Sequence, residues 1–159
     1  MSSDFESLLV GFSAEDRQEI PTIPERFVKR ALEGDWDGVA ELYHPDAIQM
    51  PPDQPAVEGR KAIRHALSRR LGAEGGVRLE DISLSIREAE GTGDLVYVWA
   101  AYHIKMSVTV GGEEVSIEQY GPYINILRRD EEGHWCIYRQ VYNRDHPPHM
   151  PLLSPQPVQ

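Results

Sequence analysis

The stretch Glu25-Arg26-Phe27-Val28-Lys29-Arg30-Ala31-Leu32-Glu33-Gly34-Asp35-Trp36-Asp37-Gly38 reads as a helix that stops at a glycine and restarts at an aspartate. Phe27, Val28, Ala31 and Leu32 recur at the spacing that gathers side chains on one helical face. Gly34 supplies the stop, because glycine enters the left-handed conformation of a helix end without a Cβ penalty. Asp35 supplies the restart: its carboxylate can accept the free N–H groups of a second helix, with an apolar face of Trp36, Val39, Ala40 and Tyr43. Upstream, Thr22-Ile23-Pro24-Glu25 has the form of a capping box, with Thr22 as N-cap, Glu25 as its reciprocal partner and a proline in the first turn. Ser13 to Asp16 can cap one further short helix that ends before Pro21.

Downstream, His44-Pro45-Asp46 breaks the second helix and Ala47 to Met50 reads as a brief strand. Pro51-Pro52-Asp53-Gln54-Pro55 is a stiff loop, since its prolines suit neither a helix interior nor a central strand. Arg60 to Leu71 is a helix with Ile63, Leu67 and Leu71 four apart, closed by Gly72 and Gly75-Gly76. The period then changes. Val77 to Ala89, Leu95 to Val110, Glu114 to Arg129 and His134 to Asn143 alternate as long strands. Gly91-Thr92-Gly93-Asp94, Gly111-Gly112 and Asp130-Glu131-Glu132-Gly133 join them as hairpin turns. Helices first and a meander after them define an α+β fold.

The chain of 159 residues is long enough for one domain with its own core. A net charge of −10 argues against nucleic acid, whose phosphates are held by Lys and Arg. The basic cluster Arg60, Lys61, Arg64, Arg69 and Arg70 reads as the solvated face of its helix. No segment is apolar enough to span a bilayer, and Met1 to Val10 lacks the positive start of a signal peptide, so no membrane partner is expected and the expected compartment is the cytoplasm. The single cysteine, Cys136, fits a reducing compartment and reads as a small buried hydrophobe. His146 and His149 flank two prolines without acidic or cysteine partners at ligand spacing, so no metal site is expected. Gly72 to Gly76 lacks the Lys-Ser/Thr pair of a phosphate-cradling loop.

Both faces of the Leu95–Val110 strand are apolar: Val96, Val98, Ala100, Tyr102 and Ile104 on one side, Leu95, Tyr97, Trp99 and Ala101 on the other. One face meets the helices. The expected cover for the other is a second copy of the chain, a homodimer through the sheet.

The run from Phe27 to Pro52, the following Val57-Glu58-Gly59-Arg60-Lys61-Ala62-Ile63 and the closing Gly133 to Asp145 resemble the SnoaL-like polyketide cyclase and ketosteroid isomerase-like superfamily. That superfamily shares the cone-shaped fold of nuclear transport factor 2. The resemblance covers roughly residues 22–146, leaving 1–21 as an arm with a short helix and 147–159 as a proline-rich flexible tail. It implies a curved antiparallel sheet closed by helices around an apolar cavity for a small hydrophobic molecule. It also implies a cofactor-independent isomerase, cyclase or lyase, on a small hydrophobic or polycyclic substrate. Alternatives are a non-catalytic carrier or an oligomerisation module of the same fold.

Ketosteroid isomerases of this kind use a tyrosine and a protonated aspartate as oxyanion donors and a second aspartate as base. Aligned by motif, these fall on Phe27, near Ile124 and near Pro51, none of which can transfer a proton. The acidic residue that related epoxide hydrolases and cyclases carry on the last strand falls on Gln140. The remaining candidates for chemistry are His103, Glu118, Tyr120, Gln140 and Asp53, and for the cavity wall Phe27, Tyr43, Met50, Trp99, Ile124, Tyr138 and Tyr142. Period two puts Tyr138, Gln140 and Tyr142 on one face, which the resemblance turns toward the cavity. Each tyrosine also reads as a wall residue whose ring supplies apolar area and whose hydroxyl finds any partner. His103 can be a surface or interface histidine, Glu118 solvent-facing, and Asp53 a solvated loop residue.

Overall fold

The computed structural model describes residue 9 and residues 11–145. Residues 1–8 and 10 of the expected N-terminal arm, His146, and the 147–159 tail with His149 lie outside the described residues. Helices α1 (Ala14–Glu19), α2 (Thr22–Leu32) and α3 (Trp36–Ala40) come first. Strands β1 (Tyr43–Met50) and β2 (Val57–Glu58), helix α4 (Arg60–Leu71) and a short 3-10 turn (Ala73–Gly75) follow. The long strands are β3 (Val77–Thr92), β4 (Leu95–Val110), β5 (Glu113–Arg129) and β6 (Trp135–Tyr142). They form one six-stranded sheet in the order β2-β1-β6-β5-β4-β3. Every neighbouring pair is antiparallel except β1 with β6. This is the α+β architecture of helices on a curved open sheet. Register shifts in β3 after Leu79 and after Ile86 supply part of the curvature, since a bulge bends its strand.

The helix signals act where the sequence places them. Ser13 Oγ accepts the Asp16 N–H at 3.1 Å, and Asp35 Oδ1 accepts the Gly38 N–H at 2.9 Å. Gly34 turns the chain at φ +71°. Thr22 differs: α2 already includes it, Pro21 stands at the N-cap, and the Thr22 hydroxyl donates to the Glu19 carbonyl at 2.6 Å. The reason is that α1 runs almost directly into α2, so the carbonyl of Ile20 accepts the Ile23 N–H at 3.2 Å and the capping box has no free end to serve. Tyr43 also departs from the helical reading. It opens β1 instead, yet remains fully buried.

The helices bury Ile23, Phe27 and Ala31 from α2, Trp36 and Val39 from α3, and Ile63, Leu67 and Leu71 from α4. Each of the Ile, Leu, Val and Phe side chains among them contributes about 1.5–3 kcal/mol by leaving water. They share one core with Val96, Val98, Ala100, Tyr102 and Ile104, which decides which of the two apolar faces of β4 is the inner one. No helix among the described residues is long and apolar enough to cross a membrane.

Candidate functional site

Between helices and sheet lies a cavity of about 260 Å³. Phe27 and Ile23 of α2 and Leu67 and Leu71 of α4 form one apolar wall. Ile82, Leu84 and Ile86 of β3, with Val98 and Ile104 of β4, form the facing wall. Phe27 therefore contributes surface to the cavity.

A polar wall stands on β1, β6 and β5. Gln49, Gln140 and Asn125 are direct neighbours across these strands, one inward-facing rung of the sheet. Gln140 is the hub. Its Oε1 accepts from the Tyr43 hydroxyl at 2.8 Å and from Gln49 Nε2 at 2.7 Å, while its Nε2 donates to Asn125 Oδ1 at 2.9 Å. Arg70, from the last turn of α4, extends the chain of bonds. Its Nη1 donates to Gln49 Oε1 at 3.0 Å and to the Tyr142 hydroxyl oxygen at 2.8 Å. Gln49 is 1% exposed and Tyr43 is fully buried, so the amide orientations are held by saturation of the network.

The next rung, one residue along, faces outward. Trp99, Ile124, Val141 and Met50 are successive partners across β4, β5, β6 and β1, at 45%, 42%, 39% and 37% exposure. Trp99, Ile124 and Met50 therefore stand on the face away from the cavity, as expected wall residues displaced by one step of strand alternation. Asn125, beside Ile124, takes the inward place.

Tyr138 is displaced for a different reason. Leu127 pairs with Ile137 and Ile126 with Arg139, leaving Tyr138 as the extra residue of a bulge. The inward set on β6 is therefore Ile137, Gln140 and Tyr142. Tyr138 turns outward, under the Arg139 guanidinium at 3.7 Å from its ring centre and edge-on to His44 at 5.2 Å.

The residues expected to carry protons stand elsewhere. His103 and Tyr120 are paired across the outer face of β4 and β5. Glu118 lies 3.3 Å from His103 Nε2 and 3.9 Å from Lys105 Nζ on that same outer face. Asp53 sits at the cavity edge, at φ +57°, in an ion pair with Arg144. Arg144 itself lines the cavity. Gly121 makes that placement possible: a Cβ there would stand 2.4 Å from the Asn143 carbonyl oxygen, so only glycine lets the chain after β6 lie against β5. The Tyr102 hydroxyl donates to the same carbonyl at 2.7 Å.

Burial pushes the Tyr102 hydroxyl up to about 12 and raises Tyr43, Tyr123 and Tyr142 as well. At neutral pH these groups keep their protons and serve as donors. Burial likewise pushes the Cys136 thiol up to about 11, as suits a packing residue. Tyr123 lines the cavity, and among the described residues its hydroxyl has no hydrogen-bond partner. Tyr123→Phe is expected to change stability by less than about 1 kcal/mol, because no bond within the chain is lost. The same change is expected to weaken binding of an oxygen-bearing ligand several-fold, read by calorimetric titration.

Asn125, Gln49, Tyr123 and Arg70 were not among the candidates read from the sequence. The first three carry a signal, since each is a polar or hydroxyl side chain at an inward position of an otherwise apolar strand. Arg70 carries a signal too, standing three residues after Leu67 and seven after Ile63 on the apolar face of α4, whereas Arg69 falls off that face and is exposed. Among the described residues no three metal-ligating side chains come together.

A helix-closed cone with one polar rung inside an apolar cavity defines the class. The chain belongs to the SnoaL-like domain family, whose model matches residues 25–138. It is similar in structure to a ketosteroid isomerase-like protein from Erwinia carotovora atroseptica, at 19% identity and a TM-score of 0.70, over 85% of this chain and 100% of that one. It is also similar to a nuclear transport factor 2-like protein with a cystatin-like fold from Novosphingobium aromaticivorans, at 25% identity and a TM-score of 0.56, over 80% of each chain. A protein from Catenulispora acidiphila, in complex with S-DNPA, matches at 16% identity and a TM-score of 0.63, over 84% of this chain and 96% of that one. Comparison with curated proteins finds no match.

Proposed function

We propose that the protein is a small-molecule binder. The cavity takes up a compact, largely hydrophobic molecule and holds its oxygen-bearing end against the Arg70–Gln49–Gln140–Asn125 wall. One observation carries this reading. The polar groups that line the cavity are amides, guanidinium groups and protonated hydroxyls, all suited to holding a ligand and none suited to taking its proton at neutral pH. Of the candidates with the right chemistry for a base, His103 and Glu118 face the opposite side of the sheet, and the Asp53 carboxylate is engaged by Arg144 at the edge.

A second reading, a cofactor-independent isomerase, cyclase or lyase, is favoured by the donors themselves. Arg70, Tyr142 and Tyr123 could stabilise a developing oxyanion while the walls fold the substrate. Native mass spectrometry, before and after exposure to a small-molecule extract of the source organism, separates the two. A compound carried away unchanged supports the binder, and one released with altered mass or retention time supports the enzyme. Absence of any bound or altered compound would count against both.

We further propose a homodimer through the outer face of the sheet, in a cytoplasmic setting that suits the single buried thiol. The exposed rung of Trp99, Ile124, Val141 and Met50 supports the dimer. Sedimentation equilibrium should give a dimer for the native chain and a monomer for Trp99→Lys combined with Ile124→Lys. A native monomer at micromolar concentration would remove this part of the proposal.

A further inference from the structure

Two guanidinium groups line the cavity, and they differ in their partners. Arg144 is neutralised by Asp53 at the edge. Arg70 has only neutral partners: its Nη1 serves the Gln49 carbonyl oxygen and the Tyr142 hydroxyl oxygen, and among the described residues no carboxylate pairs with it. Nε and Nη2 of Arg70 make no hydrogen bond among the described residues. Tyr142 accepts from Arg70 and donates to nothing described, so its own proton is also available. Its ring is fixed edge-on to Tyr102, with centroids 5.8 Å apart.

We infer that the ligand is a hydrophobic carboxylic acid, bound as its anion. Its carboxylate takes the free N–H groups of Arg70 and the proton of Tyr142, and its apolar body lies between Phe27 and the β3–β4 wall. The argument is one of complementarity. A guanidinium facing an apolar space with only neutral acceptors is incompletely compensated, and a carboxylate is the group that matches its planar fork. Tyr142 stays protonated through burial, so it adds a donor rather than a competing charge. The far wall offers no polar group to a second charged end, since Ile82, Leu84, Ile86 and Val98 close it.

This inference rests on the small-molecule reading, and the test keeps the two apart. Calorimetric titration at neutral pH compares 2-naphthoic acid with 2-naphthamide, a pair matched in shape and different in charge. The acid is expected to bind at least about tenfold more tightly to the native protein. Arg70→Gln is expected to lose that preference while holding the amide within about twofold, and Arg144→Gln to retain the preference. Equal affinity of acid and amide for the native protein would overturn the carboxylate and leave the cavity reading standing. A preference that survives in Arg70→Gln and disappears in Arg144→Gln would overturn the assignment to Arg70. Binding of neither probe would overturn the cavity reading and the inference with it. Where Arg70→Gln fails to fold, the native comparison still decides the carboxylate, and Arg144→Gln decides between the two guanidinium groups, since loss of the preference there would overturn the assignment to Arg70.

Discussion

Gln140→Leu is expected to lose about 3–5 kcal/mol of folding stability, the largest effect of any single change in the cavity, because it strands three polar groups at once. The Tyr43 hydroxyl and the Gln49 amide would keep their burial and lose their shared acceptor, and Asn125 Oδ1 would lose its donor. Leucine matches the glutamine in bulk, so the loss reports unmade hydrogen bonds rather than an empty space. For a domain of this size each kcal/mol moves the midpoint by about 2–4 °C, so thermal unfolding should shift by roughly 10 °C. Gln140→Glu keeps an acceptor oxygen for Tyr43 and Gln49 but sets a second oxygen against Asn125 Oδ1 in place of the donor. It should therefore lose less than Gln140→Leu only as far as the Asn125 amide turns over to donate. A Gln140→Leu protein within about 1 kcal/mol of the native chain would mean that the rung is decorative, contrary to the burial costs on which the site rests.

The second large effect lies outside the cavity, where α1 is fastened to the sheet. Asp16 is 8% exposed, and its Oδ1 accepts from Arg129 Nη2 at 2.7 Å and from the Trp135 indole N–H at 2.9 Å. The Arg129 guanidinium also lies 4.5 Å from the Trp135 ring centre. Asp16→Ala is expected to destabilise by about 2–3 kcal/mol, since it leaves a buried indole donor without a partner and takes from Arg129 the nearer of its two carboxylates, leaving Asp94 at 3.4 Å. Arg129 is 30% exposed, which keeps the figure below that of a fully buried pair.

The same residue fixes a pH dependence. Burial works against ionisation of Asp16, but the bonds from Trp135 and Arg129 outweigh it and hold the carboxyl below its ordinary value of 3.8. A depressed folded value contributes stability that is complete above the unfolded value and lost as pH falls through the folded one. Urea unfolding of the native chain should therefore weaken below the ordinary aspartate range. Asp16→Ala should show a shallower decline over that interval; parallel profiles would assign the acid sensitivity elsewhere.

Much of the fold was legible because its signals are local. Gly34 and Asp35 mark a stop and a restart within two residues, and the glycine-bearing turns leave few ways to divide the long strands. The β4 alternation separates its two faces residue by residue, but both are apolar, so it does not decide which one meets the helices, and the candidates Trp99 and His103 fall on the outer one. What stayed hidden depends on pairing between distant strands. The bulge at Tyr138 exists because β6 must match β5 on one side and β1 on the other, and period two applied to β6 alone assigns Tyr138 to the wrong face. Ile124 and Asn125 differ by one step, which a motif alignment without structure does not resolve. Thr22 lost its cap role to the direct run of α1 into α2, a tertiary arrangement that a capping pattern cannot register. Arg70 is the sharpest case. It shares the apolar face of α4 with Ile63 and Leu67, but reading the basic cluster as one solvated face passes over that spacing, and only the position of α4 over the cavity makes it a ligand-facing cation.

The central claim is that the space between the helices and the inner face of the sheet is a ligand site. Methyl NMR of the native protein titrated with 2-naphthoic acid tests it most directly. The prediction is saturable shifts at Ile82, Ile86 and Leu127, which line the cavity, with Ile124 and Val141 on the outer face unmoved. Shifts confined to Ile124 and Val141, or no saturable shift at any methyl group, would contradict it.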